Sequence, residues 1–300
     1  MNTIRCACLA LAWIVVSIQL CSSATAAVIG YTVWSYEADV NPEFRLYEIN
    51  MNTGAATDLG VVAAFDPEGM AFVGNQLYAM ATGVGNWELW NITTCPGTWI
   101  GNIKSQGLDA GLDYHPVRKK LYAIFGSLPR SYLVEIDPVS GIATSIGSAD
   151  GKYGDGLAIN KDGQAFASDF VGDNDGQPDG LYSVNLDTGE MDFIGDFLLG
   201  DVNLQSGLAF DSDDALWAIT SIGDVYAIDT TTGRATWISQ VNTLNGGRNG
   251  EFQGLAIPKT NEIPEPSMLT VAGGMLLCGM IGLRYTQKHG RPRRSRREAR

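Results

Sequence analysis

Between Val28 and Pro258 apolar and polar residues alternate in short runs, broken every few positions by Gly, Asp, Asn, Thr or Pro. Period-two alternation with frequent turn formers predicts many short, half-buried strands and no long amphipathic helix. Two uninterrupted apolar runs stand outside this pattern, Cys6 to Leu20 near the start and Met268 to Leu283 near the end.

The alternating region repeats. A strand of the form Leu-Tyr-x-Ile-Asn/Asp occurs at Leu46–Asn50, Leu89–Ile92, Leu133–Asp137, Leu181–Asn185 and Val225–Asp229, with start-to-start spacings of 43, 44, 48 and 44 residues. That period suits propeller blades. Each copy is followed by a Gly-containing turn (Thr53-Gly54, Pro96-Gly97, Ser140-Gly141, Thr188-Gly189, Thr232-Gly233) and then by a short strand such as Thr144-Ser145-Ile146-Gly147. Upstream lie a small-residue strand beginning at Gly69, Gly111, Gly156, Gly207 and Gly254, and a second strand such as Leu121-Tyr122-Ala123.

Four strands per unit result, and the glycine-rich one belongs innermost, where blades converge and large side chains would collide. The first unit, Val28 to Gly60, lacks that inner strand, and the final Gly254-Leu255-Ala256-Ile257 lacks everything else. The two fragments complement each other. The expected fold is all-β: a five-bladed β-propeller with N- and C-terminal strands closing one blade, plus a signal helix before it and a transmembrane helix after it. The repeat looks like the propellers common among exported bacterial proteins, a resemblance of fold that implies no catalytic residues.

Composition agrees with this reading, since 36 glycines and only 18% charged residues fit strands and tight turns. The net charge of -13 is unevenly spread: eight of the twenty Lys and Arg residues lie between Arg284 and Arg300. Residues 27–283 carry 11 basic against 32 acidic side chains, a net of about -21. So acidic a domain repels phosphate backbones, which argues against nucleic acid as a partner. Cys95 is the one cysteine in the expected ectodomain, residues 27–258, so no disulfide forms there and stability must come from core burial.

The ends read as addresses. Arg5, the apolar run and Ala24-Thr25-Ala26 match a secretory signal peptide, residues 1–26, cleaved after Ala26. A lipoprotein signal at Cys21 is the rival, with Gln19 and Leu20 where small residues are wanted. At the other end a linker, 259–267, contains Pro264-Glu265-Pro266, followed by a transmembrane helix, 268–284, and a basic cytoplasmic tail, 285–300. The sixteen apolar residues from Met268 to Leu283 reach about 24 Å at ~1.5 Å per residue, a marginal span of a bilayer core. Alternate prolines lack backbone donors and favour extended chain, leaving accessible backbone beside the bilayer.

A Pro-Glu-Pro box, a short apolar segment and a terminal basic cluster together resemble the PEP-CTERM family of sorting signals. The resemblance covers residues 263–300 and implies recognition by an exosortase, with Pro264, Glu265 and Pro266 as the box. It also implies processing to the envelope, cell surface or extracellular matrix, and a glycan-rich setting. The alternative is a plain single-span anchor.

Two groups are candidate ligand sites. Asp173, Asp175, Gln177 and Asp179 alternate in an acidic insertion of the third unit and present oxygens at a spacing that suits Ca²⁺; no Glu stands at the twelfth position, and Asp and Gly are also ordinary turn formers. The residues preceding the inner-strand glycines, Glu68, Ala110, Asp155, Ser206 and Gln253, are expected at one channel mouth, where a polar funnel suits a sugar or a cation.

No His-rich metal site, nucleophile elbow or phosphate loop appears in the domain. His115, in a Tyr-His-Pro turn, is expected to be structural, and Cys95 has no motif support as a nucleophile. The reading is an exported envelope or matrix protein whose propeller is a non-catalytic binding or structural module. The alternatives are a metal-dependent propeller hydrolase or lactonase, drawing on Glu68 and Asp155, and a permanently membrane-tethered interaction protein.

Overall fold

The computed structural model describes residues 26–36, 43–62, 66–82, 86–104, 107–127, 130–169, 180–198, 206–241 and 250–259. Residues 1–25 of the expected leader, the acidic loop with Asp173, Asp175, Gln177 and Asp179, the Pro264–Pro266 box, the segment 268–284 and the tail 285–300 lie outside the described residues.

Twenty strands form five antiparallel four-stranded sheets among the described residues. Blade 1 contains β1 (Ile29–Tyr36), β2 (Glu43–Asn50) and β3 (Ala56–Val61). Blade 2 is β4 (Asp66–Val73), β5 (Gln76–Thr82), β6 (Trp87–Asn91) and β7 (Thr98–Ile103), and blade 3 is β8 (Asp109–His115), β9 (Lys120–Gly126), β10 (Arg130–Ile136) and β11 (Ala143–Asp150). Blade 4 is β12 (Gly154–Ile159), β13 (Ala165–Asp169), β14 (Leu181–Val184) and β15 (Met191–Gly195). Blade 5 is β16 (Ser206–Phe210), β17 (Leu216–Thr220), β18 (Asp224–Ile228) and β19 (Ala235–Gln240). The last strand, β20 (Glu251–Ala256), pairs antiparallel with β1 and completes blade 1 as its inner strand. The ring is therefore closed by strands from the two ends of the domain.

Around the axis β4 packs on β8, β8 on β12, β12 on β16, β16 on β20 and β20 on β4. Glycine permits this. A Cβ on Gly111 would stand 2.3 Å from Leu157 N, and one on Gly207 2.3 Å from Leu255 N, distances no side chain can occupy. Gly69 meets Ala110 O at 2.7 Å and Gly254 meets Glu68 O at 2.8 Å in the same way, so the contact passes round the ring. Inside it, Met70, Leu112, Leu157, Leu208 and Leu255 line a cavity of about 10 Å³. That is space for about one water molecule, so the channel is closed at its waist.

Five apolar clusters fill the spaces between neighbouring blades. The seam between blades 5 and 1 is as apolar as the rest, with Trp34, Tyr47, Ile49 and Met51 against Trp217, Ile219 and Val225. At the periphery, a Cβ on Gly147 would lie 1.8 Å from Thr188 O, and one on Gly195 would lie 2.0 Å from Thr232 O. The closing Gly of one unit thus seats on the Thr-Gly turn of the next. Where the fifth unit carries Ser239 instead, its hydroxyl donates to Met51 O (2.7 Å) across the closing seam.

The Asn/Asp that ends four of the five motif strands forms the turn. Asp137 accepts from Val139 N (3.1 Å) and Ser140 N (3.0 Å), and Asp229 accepts from Thr231 N (2.8 Å). The most regular acidic position of the repeat is therefore architectural.

Replacing Gly207 by Ala forces the β16–β20 contact apart and is expected to lower unfolding free energy by at least about 2 kcal/mol. Gly74→Ala, where a Cβ meets nothing within 4 Å but φ is +60°, is the comparison. It should cost about 1 kcal/mol, the penalty of left-handed backbone alone. Urea unfolding of both variants checks the difference.

Candidate functional site

All five inner strands run in the same direction, so their starts define one channel mouth and their ends the other. At the first mouth three of the five inner strands bulge. Glu68 is the extra residue between the pairs Pro67–Ala81 and Gly69–Met80, and β12 carries an extra residue between Gly154–Asp169 and Leu157–Ala167. In β20 the same irregularity separates Gln253, opposite Val33, from Ala256, opposite Tyr31. Bulges re-aim side chains at the rim of a sheet. Short hydroxyl residues on the second strands stabilise two of them: Ser168 Oγ accepts from Gly156 N (2.9 Å), and Thr32 Oγ1 donates to Gly254 O (2.7 Å).

Glu68, Ala110, Asp155, Ser206 and Gln253 each precede an inner-strand glycine and occupy equivalent positions at this mouth. Their surroundings differ. Glu68 lines the channel, Ala110 is part of the core between blades 2 and 3, and Ser206 opens β16 opposite Thr220. Gln253 faces Asp66 Oδ1 (2.9 Å) and Pro67 O (2.8 Å), two acceptors that assign its amide nitrogen, as donor, to the blade 2 side. Asp155, at the corresponding place on blade 4, is 6% exposed, and its Oδ2 has no hydrogen-bond partner among the described residues.

What surrounds Asp155 is acidic. Burial, then the charges of Asp109 and Asp169, raise its carboxyl well above the ordinary carboxylate range, so it holds a proton where other aspartates have lost theirs. Tyr153 ties the group together: its hydroxyl donates to Asp109 Oδ2 (2.5 Å), and its backbone N–H donates to Asp169 Oδ1 (3.1 Å). The phenol is pushed up by burial and by that bond to Asp109, with further contributions from Asp155 and Glu68, and stays protonated. Lys152, adjacent in the chain, is directed elsewhere, with Nζ on Met191 O and over the Tyr182 ring. The first mouth thus gathers Asp109, Asp155, Asp169 and Tyr153 from blades 3 and 4, with Glu68 of blade 2 close enough to act on the tyrosine.

Sequence reasoning finds Asp155 and Glu68 here but not Asp109, Tyr153 or Asp169. The available signal was positional, since Asp109 opens an inner strand and Asp169 ends the neighbouring second strand. Asp169 N also donates to Gly180 O (3.0 Å), so the acidic insertion departs and returns at this same mouth. Among the described residues no group of three Asp, Glu, His or Cys side chains is placed to hold a metal ion.

The second mouth is neutralised. Lys259, just beyond β20, extends its ammonium from blade 1 to Asp113 of blade 3 (2.9 Å to Oδ1, 2.7 Å to Oδ2) and to Ile159 O of blade 4 (2.6 Å). Asp113 is buried and also accepts from Tyr114 N (2.7 Å) and Ile159 N (2.6 Å). His115 lies beside this cluster as a turn residue: Nδ1 accepts from Val117 N (3.2 Å) and Arg118 N (3.3 Å). Burial, then the charges of Arg118 and Lys259, depress its pKa and keep the ring neutral. The Cys95 thiol is pushed up by burial and by Asp58, the wrong direction for a nucleophile.

No family model and no curated protein matches the chain. Solved structures match at the level of fold. A Bacteroides thetaiotaomicron structural-genomics protein of unknown function is 14% identical at a TM-score of 0.43, covering 69% of this chain and 64% of its own, so this chain spans less than two thirds of that protein's length. The nidogen/laminin complex matches at 10% identity and a TM-score of 0.44, covering 76% of this chain and 98% of that one. TolB from Acinetobacter baumannii matches at 12% identity and 0.41, covering 76% and 66%.

Two stability measurements test these sites. Because the folded state holds the Asp155 proton where the unfolded chain has released it, Asp155 destabilises increasingly as pH rises from the ordinary aspartate range towards its raised folded value. Asp155→Asn offers a donor to the neighbouring carboxylates, as Gln253 does to Asp66, and should raise unfolding free energy by about 1–2 kcal/mol at pH 7. The gain should shrink towards pH 4; urea midpoints at the two pH values read it. Lys259→Met leaves the buried Asp113 charge without its counter-ion and should lower unfolding free energy by about 3 kcal/mol in the same assay.

Proposed function

We propose that this chain is an exported envelope or matrix protein, delivered through its PEP-CTERM-like tail, whose propeller is a non-catalytic binding module presenting its acidic mouth outward. The observation that carries the reading is polarity. The carboxyl cluster occupies the first mouth, whereas the chain passes Lys259 on the second mouth, five residues before Pro264. Five extended residues reach at most about 17 Å. A box recognised at the membrane surface therefore holds the second mouth towards the bilayer and leaves the acidic mouth free for a partner in the surrounding matrix.

The domain's acidity supports the same assignment. A net of about -21 over residues 27–283 keeps the module soluble and favours cationic over anionic ligands. His115 and Cys95, the residues most often drafted into catalysis, are committed to a turn and held as a thiol, respectively.

Mass spectrometry of the mature C-terminus from the native host tests delivery. Loss of everything beyond the Pro264–Pro266 region is the expected result, with Glu265→Ala leaving the tail in place. An intact Arg300 in the wild-type protein would instead mean a permanently tethered interaction protein.

A further inference from the structure

We propose that the first mouth is a binding site for a primary ammonium group, held by Asp155, Asp109 and the carboxylates around Tyr153. Asp155 is the observation that separates this cluster from an ordinary acidic surface: it is 6% exposed, yet among the described residues its Oδ2 has no partner. Buried carboxylate oxygens are almost always satisfied, and leaving one bare is destabilising. At the equivalent position in blade 1, Gln253 meets its neighbour Asp66 through an amide donor. The same remedy was available to blade 4, where the chain keeps an acid facing acids. A group that lowers stability where a neutral one fits is characteristic of a site kept for a ligand.

The ligand's chemistry follows from what is missing. The groups acting on Asp155 are Asp109 and Asp169, with no cationic side chain among them, and Tyr153 is already spent as a donor to Asp109. The site therefore wants positive charge that brings its own N–H donors. The second mouth shows the fold holding an ammonium: Lys259 Nζ lies within 2.9 Å of both Asp113 oxygens and 2.6 Å from Ile159 O. A ligand amine at the first mouth would meet the half-exposed Asp109 first and displace the proton of Asp155 behind it.

This deepens the binding-module reading and rests on it for the ligand's setting, while its test is independent of C-terminal processing. The full chain in detergent would be titrated calorimetrically with 1,4-diaminobutane, its N,N′-diacetyl form and CaCl₂. Saturable binding of the diamine is expected, absent for the acetylated form and about tenfold weaker in Asp155→Asn and in Asp109→Asn. Affinity should rise with pH as the Asp155 proton becomes easier to displace. No saturable diamine binding at ~10 mM, equal binding by Asp155→Asn, or Ca²⁺ binding that needs Asp155 while the diamine does not bind would each overturn the proposal. None of these outcomes touches the mass-spectrometric result, so the two readings fail separately.

Discussion

Everything in this molecule depends on backbone touching backbone at the propeller axis. The five inner strands approach so closely that Gly111 and Gly207 stand where any Cβ would be 2.3 Å from a main-chain nitrogen of the next blade. That approach draws the blades together, and the apolar clusters between them then bury Trp, Tyr and Leu side chains away from water. It also reduces the space at the axis to the volume of about one water molecule, too small for a ligand at the waist. Chemistry is thereby confined to the two mouths.

Closure adds a second constraint. Every blade but one is a local run of four strands, whereas blade 1 is completed by β20, about 200 residues from its partner β1. The domain cannot form its last seam until the chain's far end has returned. Two polar features reinforce the closure: Thr32 on the carbonyls of Gln253 and Gly254, and Ser239 on Met51 O. Lys259 spans the axis and so joins blade 1 to blades 3 and 4, which share no sheet with it.

How much of this was legible beforehand depended on whether a feature is local to one repeat. The Leu-Tyr-x-Ile-Asp strands, the Thr-Gly turns and the small-residue inner strands are set by alternation and turn chemistry within each unit, and they appear as β2, β6, β10, β14 and β18 with their neighbours. Ring closure was legible because the two terminal fragments are complementary. The carboxyl cluster was only half legible: alignment puts Asp155 and Gln253 in the same column, but what each meets is decided by the adjacent blade. Gln253 finds Asp66, and Asp155 finds Asp109. Tyr153 lies just outside β12 and enters the site through a bond 44 residues away in sequence. Lys259 follows the last recognisable strand, where no repeat pattern distinguishes it from linker.

The two mouths reveal opposite treatments of the same electrostatic problem. Both hold a buried aspartate near the axis, Asp113 at one end and Asp155 at the other. Desolvating a carboxylate is expensive, and a fold has two remedies: supply a counter-ion with hydrogen bonds, or keep the group protonated. The second mouth takes the first remedy through Lys259 and two backbone N–H groups, at the place where the chain leaves the propeller. The first mouth takes the other, because Asp155 is ringed by Asp109 and Asp169 and its Oδ2 has no donor. A structural role alone does not favour the second remedy, since Gln253 meets the equivalent position's needs at no electrostatic penalty. The asymmetry gives the closed ring a direction: an end where Lys259 ties down its buried carboxylate, and an acidic end where Asp155 Oδ2 finds no partner among the described residues.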